Sequence, residues 1–173
     1  GALTVGTTTA VTAGAFAGST ATLNADGNTS FTGAVTLTGG AGAGANAELT
    51  LSGASNTFTG GLNLATAAKS ILTVDGAVAQ TVTGVISGAG DINVTNTHAS
   101  GVTFAGDSTH TGNLTVNNDG NNQSVTFTGD SASAIALGDN SGADTITANF
   151  TGETLAISGG ITGGASETVN VNF

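Results

Sequence analysis

The chain has 173 residues, 38% hydrophobic and only 7% charged, with eleven acids against the single base Lys69 and a net charge of −10. That length and apolar content suffice for one domain with a continuous core, while the acid excess excludes nucleic-acid phosphates and anionic lipid as partners. Without Cys no disulfide or thiolate metal site holds the fold; no apolar run approaches the roughly 18 residues of a spanning helix, and without Trp or Tyr there are no aromatic girdles for a membrane barrel.

The remaining alphabet is Gly, Ala, Thr, Asn, Ser and Val. Thr and Val are β-branched and favour strands, whereas Gly and Asn supply the tight and left-handed backbone of turns. The chain begins at Gly1 rather than Met, which reads as a processed or excised segment. Taken in order, Val35-Thr36-Leu37-Thr38, Leu49-Thr50-Leu51, Leu72-Thr73-Val74, Ile92-Asn93-Val94 and Leu114-Thr115-Val116 alternate apolar and polar residues. Each predicts a short strand with one buried face. The Gly39 to Ala47 stretch is either a flexible loop or a tightly packed corner. Leu64 to Ser70 has helical flavour but is too short to form a helix, and Asn117-Asn118-Asp119-Gly120 predicts a turn.

The seven phenylalanines carry the repeat. The last four, Phe104, Phe127, Phe150 and Phe173, are spaced by 23 residues, and Phe58 to Phe104 is twice that interval, with Val82-Thr83-Gly84 near its midpoint. Six of the seven open a Phe-Thr-Gly or Phe-Ala-Gly tripeptide, Phe16 included. A period of this length without long amphipathic segments predicts an all-β parallel β-helix (β-solenoid) with coils of about 23 residues, two or three strands each. Residues 1–173 form one domain on this reading, irregular over 1–80 and regular over 81–173, and the Phe side chains are expected to stack in the interior.

Two segments carry a family resemblance. Glu48-Leu49-Thr50-Leu51-Ser52-Gly53-Ala54-Ser55-Asn56-Thr57-Phe58-Thr59-Gly60-Gly61 resembles the repeat of autotransporter passenger domains, and Thr81-Val82-Thr83-Gly84-Val85-Ile86-Ser87-Gly88-Ala89-Gly90-Asp91-Ile92 resembles its companion segment. The resemblance implies a right-handed parallel β-helix at the surface of a Gram-negative bacterium, acting as adhesin, surface layer or stalk. The C-terminal export barrel of that family is missing from these residues, so the expectation is a fragment of a longer passenger or a self-assembling relative. Leu137-Gly138-Asp139-Asn140-Ser141-Gly142-Ala143-Asp144-Thr145-Ile146 is similar to the Gly-Asp-rich calcium repeats of secreted and surface-layer proteins, without keeping their nonapeptide strictly.

Candidate chemistry is sparse. Asp107, Asp130 and Glu153 follow the same tripeptide and are expected to form a column of carboxylates. Such a column either binds a hard oxygen-seeking cation such as Ca²⁺ or splays into solvent, where screening makes repulsion cheap. Asp139 and Asp144, flanking Asn140 and Gly142, are the better calcium candidates of the five. His98 and His110 are the only imidazoles, and both are expected to be solvated loop residues. No catalytic residue and no cofactor other than Ca²⁺ is assigned, and an enzyme is not expected. Thr-x-Thr triplets recur at Thr36, Thr57, Thr81, Thr126 and Thr145. On one flat face they would resemble an ice-binding or carbohydrate-binding solenoid, but they do not share one phase, and Thr is ordinary content of an exposed β-face.

These observations predict a non-enzymatic, extracellular structural protein of a bacterial cell surface, built from β-coils that continue in a longer chain or by stacking on further copies. An adhesin passenger with a receptor is the alternative.

Overall fold

Alternating β-branched and apolar residues, punctuated by glycine, wind the chain into a parallel β-solenoid of about six coils, with no helix among the described residues. The computed structural model describes residues 2–116, 123–129, 134–137, 145–152, 161–163 and 168–173. Among these, successive coils build three parallel sheets of eight, seven and five strands, the five-stranded one described only from Thr9–Thr12 to Ser108–His110. The eight-stranded sheet runs from Leu3–Val5 through Thr29–Phe31, Ser55–Phe58, Gln80–Thr83, Val102–Ala105, Gln123–Phe127 and Thr145–Phe150 to Thr168–Asn172.

Register fixes the coil length. In the eight-stranded sheet Thr29 faces Asn56, 27 residues on, whereas Val102 faces Val125 at an interval of 23. The coils of the first half are therefore longer, and the extra residues go into corners. Since the pleat has a period of two, each pairing must conserve parity or turn its apolar side chains outward. Phe31 pairs with Phe58, Phe104 with Phe127, and Phe127 with Phe150. Val82 pairs with Phe104 on one side as the tripeptide predicts, but on the other it faces Asn56. The shift relative to Phe58 is two residues, so Val82 still points inward, and it brings Gly84 against Phe58.

The phenylalanine column is thus two stacks. Phe31 and Phe58 lie nearly parallel with ring centroids 5.1 Å apart. Phe104, Phe127, Phe150 and Phe173 follow at 5.5, 5.1 and 5.6 Å. Beside them run aliphatic columns such as Leu49–Leu72–Ile92–Leu114 and Leu51–Val74–Val94–Val116, all buried. Each such side chain contributes about 1.5–3 kcal/mol by leaving water.

Phe16 corrects the sequence reading, since it is 83% exposed and belongs to neither stack. It opens a corner turn in which the Ser19 amide donates to the Phe16 carbonyl, and its stacked counterpart one coil on is Gly42. Phe173, also in the expected interior column, stacks on Phe150 and is 84% exposed.

The Gly39 to Ala47 stretch is a tightly packed corner. A Cβ on Gly40 would overlap the Gly14 carbonyl oxygen, and one on Gly42 would overlap the Ala17 amide nitrogen. Three such turns stack, closed by Ser19 to Phe16, Ala45 to Gly42 and Lys69 to Thr66 hydrogen bonds of 3.2–3.3 Å. Their third residues are left-handed: Gly18 at φ 72°, Gly44 at 62° and Ala68 at 54°. Ala pays for that region where Gly does not. Ala68→Gly is expected to stabilise the protein by about 0.5 kcal/mol, the relief of strain exceeding the added chain entropy, and thermal melting checks it.

Candidate functional site

Of the five acids expected to bind calcium, Asp130 and Glu153 of the column and Asp139 and Asp144 of the Gly-Asp-rich segment lie outside the described residues. Asp107 sits exposed at the corner between Val102–Ala105 and Ser108–His110, and its neighbour in the preceding coil is the exposed Val85, not an acid. Asp75 and Asp91 are held by nearby donors. Asp75 accepts from the Gly76 amide at 2.7 Å and from Thr95 Oγ1 at 3.3 Å, and Asp91 accepts from the Asn113 amide at 3.3 Å. Among the described residues, no three His, Cys, Asp or Glu side chains come together.

The single base has a structural partner that the sequence did not announce. Lys69 Nζ donates to the carbonyl oxygens of Gly40, Ala41 and Gly42 at 2.8, 3.4 and 2.9 Å. Its three donors crown the glycine-rich corner of the neighbouring coil, where tight turning leaves carbonyls pointing outward.

His110 also corrects the sequence reading. It is fully buried, ending Ser108–His110 in a column where its predecessors are Gly88 and Leu64. Gly88 itself is left-handed at φ 95°, and a Cβ there would overlap the Leu64 carbonyl oxygen. Nε2 meets the Gly90 carbonyl, and desolvation holds the pKa below the usual 6.5 against the opposing pull of that carbonyl and of Asp91. The folded protein therefore takes up this proton later than the unfolded chain, so stability is complete above pH about 6.5 and falls as pH drops from there toward the folded pKa. We expect the melting temperature to fall more between pH 7.5 and 5.5 for the wild type than for His110→Gln, which removes the titration; parallel curves would contradict it. His98 is half-buried, its Nδ1 accepting from the Ser100 amide at 3.1 Å.

A second feature that sequence reading missed is a file of buried amides at one corner. Gln80 Nε2 donates to the Leu51 and Gly53 carbonyls, both at 3.1 Å, and Asn96 Nδ2 donates to Gln80 Oε1 at 2.7 Å and to the Val78 carbonyl at 2.8 Å. Asn56 Nδ2 reaches the Gly53 carbonyl at 2.8 Å. These side chains satisfy turn carbonyls that the sheets cannot reach. Parity was the available signal: Asn56 and Gln80 stand two residues before the inward Phe58 and Val82, so they must point inward too.

No family model, no curated protein and no solved structure matches this chain. The fold is what the geometry shows, and the likeness to passenger repeats rests on the quoted motifs.

The outward surfaces of the sheets differ. The seven-stranded sheet carries Glu48, Ile71 and Asp91 in one outward column. The eight strands of the largest sheet contain no charged residue, although the protein's charge is −10. Their outward positions alternate with the Phe and Val that point inward and are taken mainly by Thr, Ser and Asn.

Proposed function

We propose that the chain is a non-enzymatic structural segment of an extracellular bacterial surface assembly, a layer, fibre or stalk built of β-coils. The observation that carries this reading is the stacked parallel pairing: among the described residues, successive coils join in three parallel sheets around one hydrophobic core. Such a rod adds units without changing its geometry, and its stability is approximately the sum of coil and interface terms. Coil-on-coil pairing that joins turns within the chain serves equally well between segments or copies. The extracellular setting is supported by the passenger-like motifs around Phe58 and Val82, and by a low-charge alphabet of small residues that loses little side-chain entropy on lateral contact. Ca²⁺ is the proposed ligand of the acidic turns at Asp107, Asp130, Asp139, Asp144 and Glu153, either within the C-terminal coils or between copies.

Electron microscopy of the purified protein at several concentrations, in millimolar calcium and in chelator, tests the reading. Filaments or sheets are expected, with calcium raising the melting temperature by mass action. Single rods at every concentration would refute self-assembly, and identical melting and assembly in chelator would remove calcium from the proposal.

A further inference from the structure

We propose that the outward face of the eight-stranded sheet is an ice-binding surface, its ligand being the lattice of a growing ice crystal. The proposal stands on the placement of side chains in this sheet and is independent of whether the rod assembles.

The register aligns outward residues that the sequence left out of phase. Ser55 and Thr57 face Thr81 and Thr83, and those face Thr103 and Ala105. Thr103 in turn faces Thr126, which faces Asn149. The pair in phase with Thr81 and Thr83 is therefore Ser55 and Thr57, not Thr57 and Thr59, because the coil between Phe58 and Val82 is displaced by two residues. The outcome is two parallel columns of short hydroxyl or amide side chains, about 4.8 Å apart along the rod and about 6.7 Å apart across it, by strand geometry. Ala105 is the one gap in the rows just named.

Three properties of the array suit an ordered solid rather than a soluble ligand. It repeats in two dimensions, so many weak contacts add only against a ligand with its own two-dimensional repeat at comparable spacing, as an ice surface has. It is preorganised: Thr is stiff at χ1 and the backbone is locked in a ladder, so little entropy is lost on contact. It carries no charge and no aromatic side chain pointing outward, which removes the hydration shells that would disrupt a water lattice and the stacking platforms that sugars prefer. Between the columns of the first coils runs a furrow of about 150 Å³ lined by Thr4, Asn28, Ser30, Ser55 and Thr57 among others. The seven-stranded face, with Glu48, Ile71 and Asp91 in its rows, lacks this uniformity.

The test is thermal hysteresis and ice-crystal shaping by the 173-residue chain. The wild type is expected to depress freezing below melting and to facet crystals. Thr81→Tyr with Thr126→Tyr, bulky residues that keep β-propensity, should reduce the hysteresis to that of buffer with an unchanged melting temperature; Thr81→Lys with Thr126→Lys does the same by adding charge. Thr73→Tyr with Thr115→Tyr, on the seven-stranded face, should keep full activity. No hysteresis in the folded wild type, activity surviving in both face variants, or equal loss in the Thr73/Thr115 control would each overturn the proposal. So would a wild type that leaves freezing untouched but is retained on crystalline chitin or loses self-association through Thr81→Tyr, which assigns the face to a polysaccharide or a second copy.

Discussion

Phe127→Ala will cost about 3–5 kcal/mol, the loss typical of deleting a large buried ring. Phe127 is 4% exposed and lies between Phe104 and Phe150 with centroids 5.5 and 5.1 Å away, so the substitution removes two ring contacts as well as the buried area. Each stacked pair is worth about 0.5–1.5 kcal/mol beyond burial. The cavity cannot collapse easily, because its floor and ceiling are coils held in register by parallel ladders on both sides. For a chain of this size the melting temperature should fall by roughly 10 °C. Phe16→Ala is the control: an identical chemical change at an exposed corner should leave melting almost unmoved. Equal shifts for the two variants would mean that the stacked column does not anchor the core.

The second large effect is expected at Lys69. Lys69→Met keeps the aliphatic stem over the glycine corner and deletes the ammonium that serves three carbonyl oxygens. Hydrogen bonds to a charged donor are worth about 1.5–3 kcal/mol each when both partners are sheltered. Here two of the three are short and the site is only part-buried, so a total loss of about 2 kcal/mol is expected. The distinguishing readout is salt. A surface ion pair is screened by added salt, whereas this cation is held by neutral carbonyls at contact distance, so the difference between wild type and Lys69→Met should persist at 1 M NaCl, where the Debye length is about 3 Å. A difference that vanished in salt would point to long-range attraction by the protein's acids instead. Lys69→Arg should recover only part of the loss, since a planar fork fits a ring of three carbonyls less well than a compact ammonium.

How far the sequence spoke depended on whether a feature was local. The inward phase of Leu49, Leu51, Leu72 and Val74 was legible because a strand's pleat alternates faces whatever the chain packs against. The buried amides Asn56 and Gln80 were legible by the same parity and were overlooked. Phe16 misled because Phe-Ala-Gly reads the same in a strand end and in a turn, and only the left-handed Gly18 that follows separates them. His110 misled because its burial and its Nε2 contact with the Gly90 carbonyl, 20 residues earlier, arise only when coils stack. Four of the five acids assigned to cation binding lie outside the described residues, so the candidate metal column stays at the stage of proposal.

The sequence by itself determined that the protein is a stack of short strands with a fixed repeat, an aromatic and aliphatic interior and a polar exterior. Those properties follow from the period of two along a strand and from the spacing of identical motifs, both written in one coil. Only the tertiary structure decided the lengths of the individual coils, the two-residue displacement at Val82, the crowning of the Gly40–Gly42 carbonyls by Lys69, the burial of His110 and the uncharged hydroxyl face of the largest sheet. Each of these is a relation between residues some 20 to 29 positions apart. Coil stacking creates such contacts, and no local preference of the chain fixes the register in which the coils meet.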